Sequence, residues 1–297
     1  MSLKFYKKIL LILGIVVCAT AVVLFWFAYQ TPKNLEVDFL DIGQGDAILI
    51  KAPTGQNILI DGGPDKTVIK RLSENLPWWD KQIDLMVLTH PHDDHVSGLI
   101  DVIKRYQVKK IIYSGVVHNS PNYLSWLKLV LDKKINLTII DRQQVIKLSD
   151  NCWLEIIYPQ ESLLGLEMEN LNNSSLVIRM VFGKTKFLFV GDLEEQGEIK
   201  LLDSKVDLSA DVLKVGHHGS DTSSSNRFLE KVYLVREQDS SGIKSRVAVI
   251  EVGKDNGFGH PNLRIIKRLE RLGVKVLRTD QSGTIKLISD QQNVYFK

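Results

Sequence analysis

Six consecutive positions, His90 to His95 within the stretch LTHPHDDHVSG, hold three histidines and two aspartates. Imidazole and carboxylate together suit zinc, manganese or iron. Four such side chains so close together, His90, His92, Asp94 and His95, invite two divalent ions rather than one. Metals roughly 3.5–4 Å apart in such a site share bridging ligands. His90 and His92, at i and i+2, point the same way from an extended turn, and Asp94 and His95 open a second direction. The plain alternative is a solvated polar turn. Three histidines directly after an apolar strand speak against it.

Two other places carry the same chemistry. Asp192 closes the apolar stretch KFLFVGD, where it is either the N-cap of a helix over LEEQGEIKLL or a metal ligand, and the two roles are compatible. His217 and His218 follow DVLKV and lie between Gly216 and Gly219. One of them should complete a metal's ligands, and we favour His217, with His218 either exchanging into that role or touching substrate.

These residues need rigid elements behind them. IDLMVLTH reads as a buried strand that delivers the cluster at its C-terminal end, and VSGLIDVIKRY resumes helical spacing. NLEVDFLDIG, DAILIKAP and GQNILIDGG read as three earlier strands around a Gly-Gln-Gly turn, with TVIKRLSENL as a helix. Further strands are expected at KKIIYSG, NLTIID, CWLEIIYP, SSLVIRMVFG, TKFLFVGD, ADVLKVG, RVAVIEVG, VKVLRTD and GTIKLIS. Helices are expected at NYLSWLKLVLDKK, SNRFLEKVYLV and PNLRIIKRLERLG, with Pro261 in the first turn of the last and Gly273 at its end. The sum is one α/β domain over residues 33–297, without repeats of fixed period.

The N-terminus is different. Ile9 to Tyr29 runs 21 residues without a charge, and a membrane-spanning helix needs roughly 20. Bulky aromatics in FWFAYQTP argue against signal-peptide cleavage, and Val17 is a poor neighbour for a lipidated Cys18. Residues 1–32 therefore read as a cytoplasmic stub and membrane anchor. Lys4, Lys7 and Lys8 precede the run and only Lys33 follows closely, so the domain is expected outside the membrane in a single-pass arrangement. Three of the 38 Lys and Arg and none of the 35 Asp and Glu precede residue 33, so the remainder carries 35 of each. A neutral domain is no generic polyanion binder. Cys152 is the one cysteine beyond the anchor, which excludes an internal disulfide there.

The stretch THPHDDH resembles the HxHxDH signature of the metallo-β-lactamase superfamily. Other stretches are similar to the branch of that superfamily that includes the soluble domain of the DNA-uptake channel protein ComEC. These are DIGQGDAILI, ILIDGG, NNSSLVIRM, FLFVGDLE, VLKVGHHGS and GHP, in that order. The resemblance implies an αβ/βα four-layer sandwich behind the anchor helix and a site for one or two divalent ions, zinc or manganese. It further implies His90 and His92 on a first metal, Asp94 and His95 on a second, and Asp192 as the bridging carboxylate. Asp61 would orient a ligand histidine through its second ring nitrogen.

The resemblance has gaps. Where the superfamily often places another histidine on the first metal, this chain reads NLNNSSLV, so Asn172 or Ser175 could fill that place, touch substrate or simply form a turn. The channel protein carries many membrane helices, whereas this chain has one apolar run. What the branch implies is hydrolysis of a phosphodiester, DNA in the first place, by a metal-activated hydroxide, with DNA-uptake machinery as a partner. In that case Asp94 and His218 serve catalysis and His260 protonates the leaving oxygen, unless His260 is only an N-cap. Ser220, Ser223, Ser224 and Ser225 would donate to phosphate oxygens, unless they form an ordinary flexible loop. The alternatives are a cell-surface phosphodiesterase on wall or choline-phosphate substrates, and a non-catalytic DNA-binding accessory module. Trp78, Trp79, Tyr123 and Trp126 are either base-stacking aromatics or core.

Overall fold

The computed structural model describes residues 3–29, 34–233 and 246–297. The first element is a helix over Leu3–Tyr29. Its stretch Lys4–Val23 has mean hydropathy 2.1 and no buried side chain, and it is long and apolar enough to cross a membrane. The expected boundary between residues 32 and 33 lies outside the described residues.

Two large sheets follow. The first runs, in spatial order, Val294–Phe296, Ile285–Ser289, Leu35–Phe39, Ile48–Lys51, Asn57–Ile60, Leu85–Leu88, Lys110–Tyr113 and Asn136–Ile139. The second runs Lys275–Arg278, Val247–Ile250, Val212–Lys214, Thr185–Phe189, Val177–Phe182, Cys152–Tyr158 and Gln144–Ser149. The sheets face each other through Phe39, Ile48, Ile50, Ile58, Ile60 and Val87 on one side and Ile178, Met180, Phe187, Phe189, Val212 and Val249 on the other.

Strands buried on both faces need apolar residues at every position, which is why AILI, NILI and LMVL read as unbroken runs rather than alternations. Leu49, Leu59, Met86 and Leu88 point away from the second sheet. They meet Leu72, Val96, Leu99, Val102 and Trp126 on the helices Thr67–Asn75, Asp93–Arg105 and Pro121–Asp132. Leu188, Leu213 and Ala248 meet Leu201, Phe228, Leu229, Ile265 and Leu269 on the helices Glu195–Asp203, Asn226–Tyr233 and Leu263–Arg271. The result is a helix, sheet, sheet, helix sandwich, the expected four layers.

Direction decides where the site falls. Leu35–Phe39 and Asn57–Ile60 both pair antiparallel with Ile48–Lys51, and Leu85–Leu88 runs parallel to Asn57–Ile60. These three strands therefore end on one edge. In the second sheet Thr185–Phe189, Val212–Lys214 and Val247–Ile250 are mutually parallel and end on the matching edge.

Some expectations are corrected. The last long helix begins at Leu263 with Asn262 as its cap, accepting from Arg264 N–H at 2.9 Å, so Pro261 precedes the cap and His260 is not an N-cap. Asp192 is no cap either, since the following helix is preceded by Glu194. The helix expected over 225–235 is described as Asn226–Tyr233, and its last two expected residues lie outside the described residues. Strand Gln144–Ser149 was not foreseen. It is an edge strand with partly exposed side chains, and QVIKLS lacks the apolar run of the interior strands.

Candidate metal centre

The strand Leu85–Leu88 ends in Thr89 and His90, and the helix Asp93–Arg105 starts three residues later. His90 and His95 are fully buried. The close approach of that helix to the loop after Asn57–Ile60 is set by glycine: a Cβ on Gly98 would lie 1.9 Å from the Gly62 carbonyl oxygen. Gly98 N–H donates to Gly63 O at 2.9 Å, and Gly62 N–H to His95 O at 2.8 Å. This contact brings Asp61 onto His95.

Asp61 accepts from Thr89 N–H at 2.8 Å and Thr89 Oγ1 at 2.6 Å, and its Oδ2 lies 2.9 Å from His95 Nδ1. In the neutral ring Nδ1 keeps its proton toward that carboxylate and Nε2 presents the lone pair that a metal needs. His95 Nε2 is buried and has no hydrogen-bond partner. It lies 3.3 Å from Asp192 Oδ2 and 3.9 Å from Asp94 Oδ1. His218 repeats the arrangement from the other sheet. Its Nδ1 lies 2.9 Å from the Glu251 carbonyl oxygen, which only accepts, so Nδ1 is protonated and Nε2 is the nitrogen turned toward the cluster. That Nε2 lies 3.3 Å from both Asp94 Oδ2 and Asp192 Oδ2. Ligand atoms of Asp94, His95, Asp192 and His218 all fall within 4.8 Å of one another.

His217 and His218 separate because both adopt left-handed backbone, φ 47° and 52°. Such conformations are costly for residues with a Cβ and gather at functional sites. His217 N–H donates to Gly191 O at 3.3 Å, and the Gly216 carbonyl accepts from Ser223 Oγ at 2.7 Å. The turn aims His218 into the cluster and leaves His217 at the rim, 3.1 Å from Glu194 Oε1 and 4.0 Å from Asp192 Oδ2. The geometry thus gives the inner position to His218, where sequence reasoning favoured His217.

His90 Nε2 faces His92 Nδ1 at 3.1 Å, and the His90 and His95 rings are 4.1 Å apart. Burial, reinforced by the charge of His95, holds both His90 and His92 below the ordinary histidine range, so both rings stay neutral and able to bind metal. Ser175 lies against the cluster: its Oγ is 3.3 Å from His90 Nδ1 and accepts from Asp192 N–H at 3.1 Å. Asn172 is turned away, donating to Glu194 Oε1 at 2.8 Å.

The serines after the histidine pair are engaged within the protein. Ser220 contacts Thr222 at 3.0 Å, Ser223 Oγ donates to the Gly216 carbonyl, Ser225 Oγ accepts from Phe228 N–H at 3.3 Å, and the Ser224 hydroxyl is buried without a partner while its N–H and that of Ser225 bind Glu198. His260 stands near His217, ring centroids 5.6 Å apart, with Phe258 stacked on it. Tyr123 and Trp126 are core, whereas Trp78 and Trp79 are exposed.

Sequence reasoning missed Asp46, Lys214 and Glu251. Lys214 is fully buried; its ammonium contacts Asp46, donates to Gly191 O at 3.1 Å and lies 3.5 Å from Asp192 Oδ1. Burial disfavours its charge, yet Asp46, Asp192 and Glu251 hold its pKa above the usual lysine range. Glu251 accepts from Ala47 N–H at 3.0 Å, and burial pushes its own carboxyl well up. The signal was present: a lysine inside the apolar strand VLKV needs a buried partner.

The chain matches the metallo-beta-lactamase superfamily over residues 40–237. It is 29% identical over 299 residues to ComE operon protein 3 of Bacillus subtilis (strain 168), covering 93% of this chain and 36% of that protein. It is 28% identical over 263 residues to Competence protein ComA of Neisseria gonorrhoeae, covering 86% and 32%. Recombination protein 2 of Haemophilus influenzae is 27% identical over 282 residues, covering 91% and 31%. The chain spans about a third of the length of these curated relatives. Among solved structures, Igni18, a metallo hydrolase from Ignicoccus hospitalis, aligns with TM-score 0.50 and 16% identity over 84% of this chain and 98% of that one, a likeness of fold alone. With about two thirds of its length matched and its sandwich bringing histidines and aspartates from both sheets to one edge, the chain belongs to the metallo-β-lactamase superfamily.

Proposed function

We propose that this chain is a membrane-anchored, metal-dependent phosphodiesterase that cuts DNA outside the membrane. The observation that carries the hydrolase reading is the convergence of Asp94, His95, Asp192 and His218, with the buried His95 Nε2 left without a hydrogen-bond partner. Two oriented imidazoles and two carboxylates fit a zinc or manganese ion. His90 and His92, whose facing nitrogens lie 3.1 Å apart beside this group, would offer two further imidazoles to a second ion. A divalent ion there supplies Lewis acidity toward a phosphoryl oxygen and acidifies water near neutral pH.

The protein's own part is to fix tautomers and hold charge. Asp61 and the Glu251 carbonyl orient His95 and His218, while Lys214 restrains one oxygen of Asp192 so that the other faces both rings. His260 stands at the rim. Partial burial and the neighbouring His217 and His218 hold it below the ordinary histidine range, which suits it to donating a hydrogen bond to substrate more than a proton to the leaving oxygen.

The DNA assignment draws support from kinship to proteins named for competence and recombination. The outward placement draws support from Lys4, Lys7 and Lys8 ahead of the apolar helix. The test is cleavage of single- and double-stranded DNA by the full chain in detergent with Mn²⁺ or Zn²⁺, beside Asp94→Asn. The proposal expects cleavage by the wild type alone. A folded, metal-loaded wild type that leaves both DNAs intact overturns the nuclease assignment.

A further inference from the structure

Trp78 and Trp79 play no part in the metal centre, yet they set two adjacent indoles on the domain surface. They are 79% and 58% exposed, with rings edge to face at a centroid distance of 5.5 Å. Their place in the fold is well defined. The strand Leu35–Phe39 runs toward the metal edge, so Leu35 lies at the opposite edge, where the chain enters the domain from the apolar helix. Glu36 pairs with Lys51, whose ammonium also donates to Asn75 O at 3.2 Å, at the end of the helix that leads into Pro77, Trp78 and Trp79. Just beyond the tryptophans, Asp80 accepts from Asn57 Nδ2 at 2.8 Å, and Asn57 is the register partner of Lys51. The tryptophans are thus fixed to the edge at which the chain enters.

Only six residue steps separate Tyr29 from Leu35, at most about 20 Å of extended chain. If the helix Leu3–Tyr29 spans a bilayer, the edge holding Leu35 is confined to its surface. The same edge exposes Lys81, Lys104, Arg105 and Lys134 at the ends of neighbouring helices and strands, beside the exposed Glu74 and Asp132 and a Lys109 paired with Asp84 at 3.0 Å. Indole rings favour the headgroup level of a membrane, and clustered basic side chains beside them favour anionic lipid.

We propose that Trp78 and Trp79 insert into the interface of the bilayer that holds the chain's own anchor, docking the domain with its metal edge facing away from the lipid. This rests on the anchor reading above. A strand of five residues spans about 17 Å, so the docked domain presents its site to the aqueous side at roughly that height.

The test uses the full chain in vesicles of anionic and zwitterionic phospholipid, with Trp26→Phe in every protein so that the anchor contributes no indole. The emission of this protein is compared with that of the same protein carrying Trp78→Ser and Trp79→Ser; Trp126 and Trp153 are common to both. The proposal expects that brominated lipid quenches the difference emission and that soluble acrylamide does so poorly. Flotation with the vesicles is scored separately. Failure to float overturns the anchor reading and the docking with it. Flotation with difference emission quenched only by acrylamide overturns the docking alone. Difference emission that responds to single-stranded oligonucleotide and not to brominated lipid makes the pair a base-stacking surface and also overturns it.

Discussion

The ammonium of Lys214 stands 3.5 Å from Asp192 Oδ1, while Asp192 Oδ2 lies 3.3 Å from a nitrogen of both His95 and His218. One buried carboxylate is thereby divided between a fixed organic cation and the space where the histidines converge. Lys214→Met leaves Asp46 and Asp192 buried without that partner, and the expected cost is about 3–5 kcal/mol of unfolding free energy in metal-free protein. A divalent ion neutralises Asp192, so the deficit shrinks in metal-loaded protein. Urea unfolding with and without metal checks both parts; a loss below about 1 kcal/mol, the scale of a solvated pair, contradicts the role.

Asp61→Asn is expected to weaken metal affinity about 10- to 100-fold while leaving the fold intact. Asp61 has φ 56°, a conformation that asparagine tolerates and alanine does not. Asp61→Ala should therefore lose stability as well as metal. Competition against a chelator dye, read beside thermal unfolding, separates the two effects.

The histidine pair separates by metal content. His218→Ala removes a nitrogen that faces both Asp94 and Asp192, and bound metal per chain should fall by one ion. His217→Ala removes a rim group held by Glu194 and Thr222, and metal content should be unchanged. The opposite pattern in plasma emission measurements would restore the sequence-based preference for His217.

The pH dependence has a definite sign. Burial disfavours charge on His95 and His218, but Asp192, with Asp94 and Asp61 beside His95 and Asp46 beside His218, holds both rings well above the ordinary histidine range in metal-free protein. Their contribution to stability is full below about pH 6.5, the unfolded value, and is lost as pH rises through the folded values. Glu251, raised by burial, adds the same sign. Metal requires neutral rings, so its affinity rises over the same range. Between about pH 6.5 and 8.5, the melting temperature of chelated protein should fall and the increment from added metal should grow. A chelated protein that becomes more stable across that range contradicts this.

Much of the fold was legible because both faces of the central strands are buried: ILI, NILI and LMVL admit few other readings. Gln144–Ser149 escaped notice because an edge strand shows no such run. The metal cluster was legible at His90–His95, where neighbours in sequence are neighbours in space. Asp46 and Glu251 were not, since each looks ordinary locally, and Lys214, a lysine inside an apolar strand, signals a buried partner without saying which. The choice between His217 and His218 turned on two left-handed residues, which no side-chain pattern signals.

The central claim is that ions held by this cluster make the chain a phosphodiesterase. The most direct measurement is a titration of chelated protein with Mn²⁺, recording metal bound and DNA cleaved in the same samples, with His218→Ala in parallel. The account predicts that cleavage rises with occupancy and is absent from His218→Ala at every concentration. Full occupancy without cleavage, or equal cleavage by His218→Ala, would contradict it.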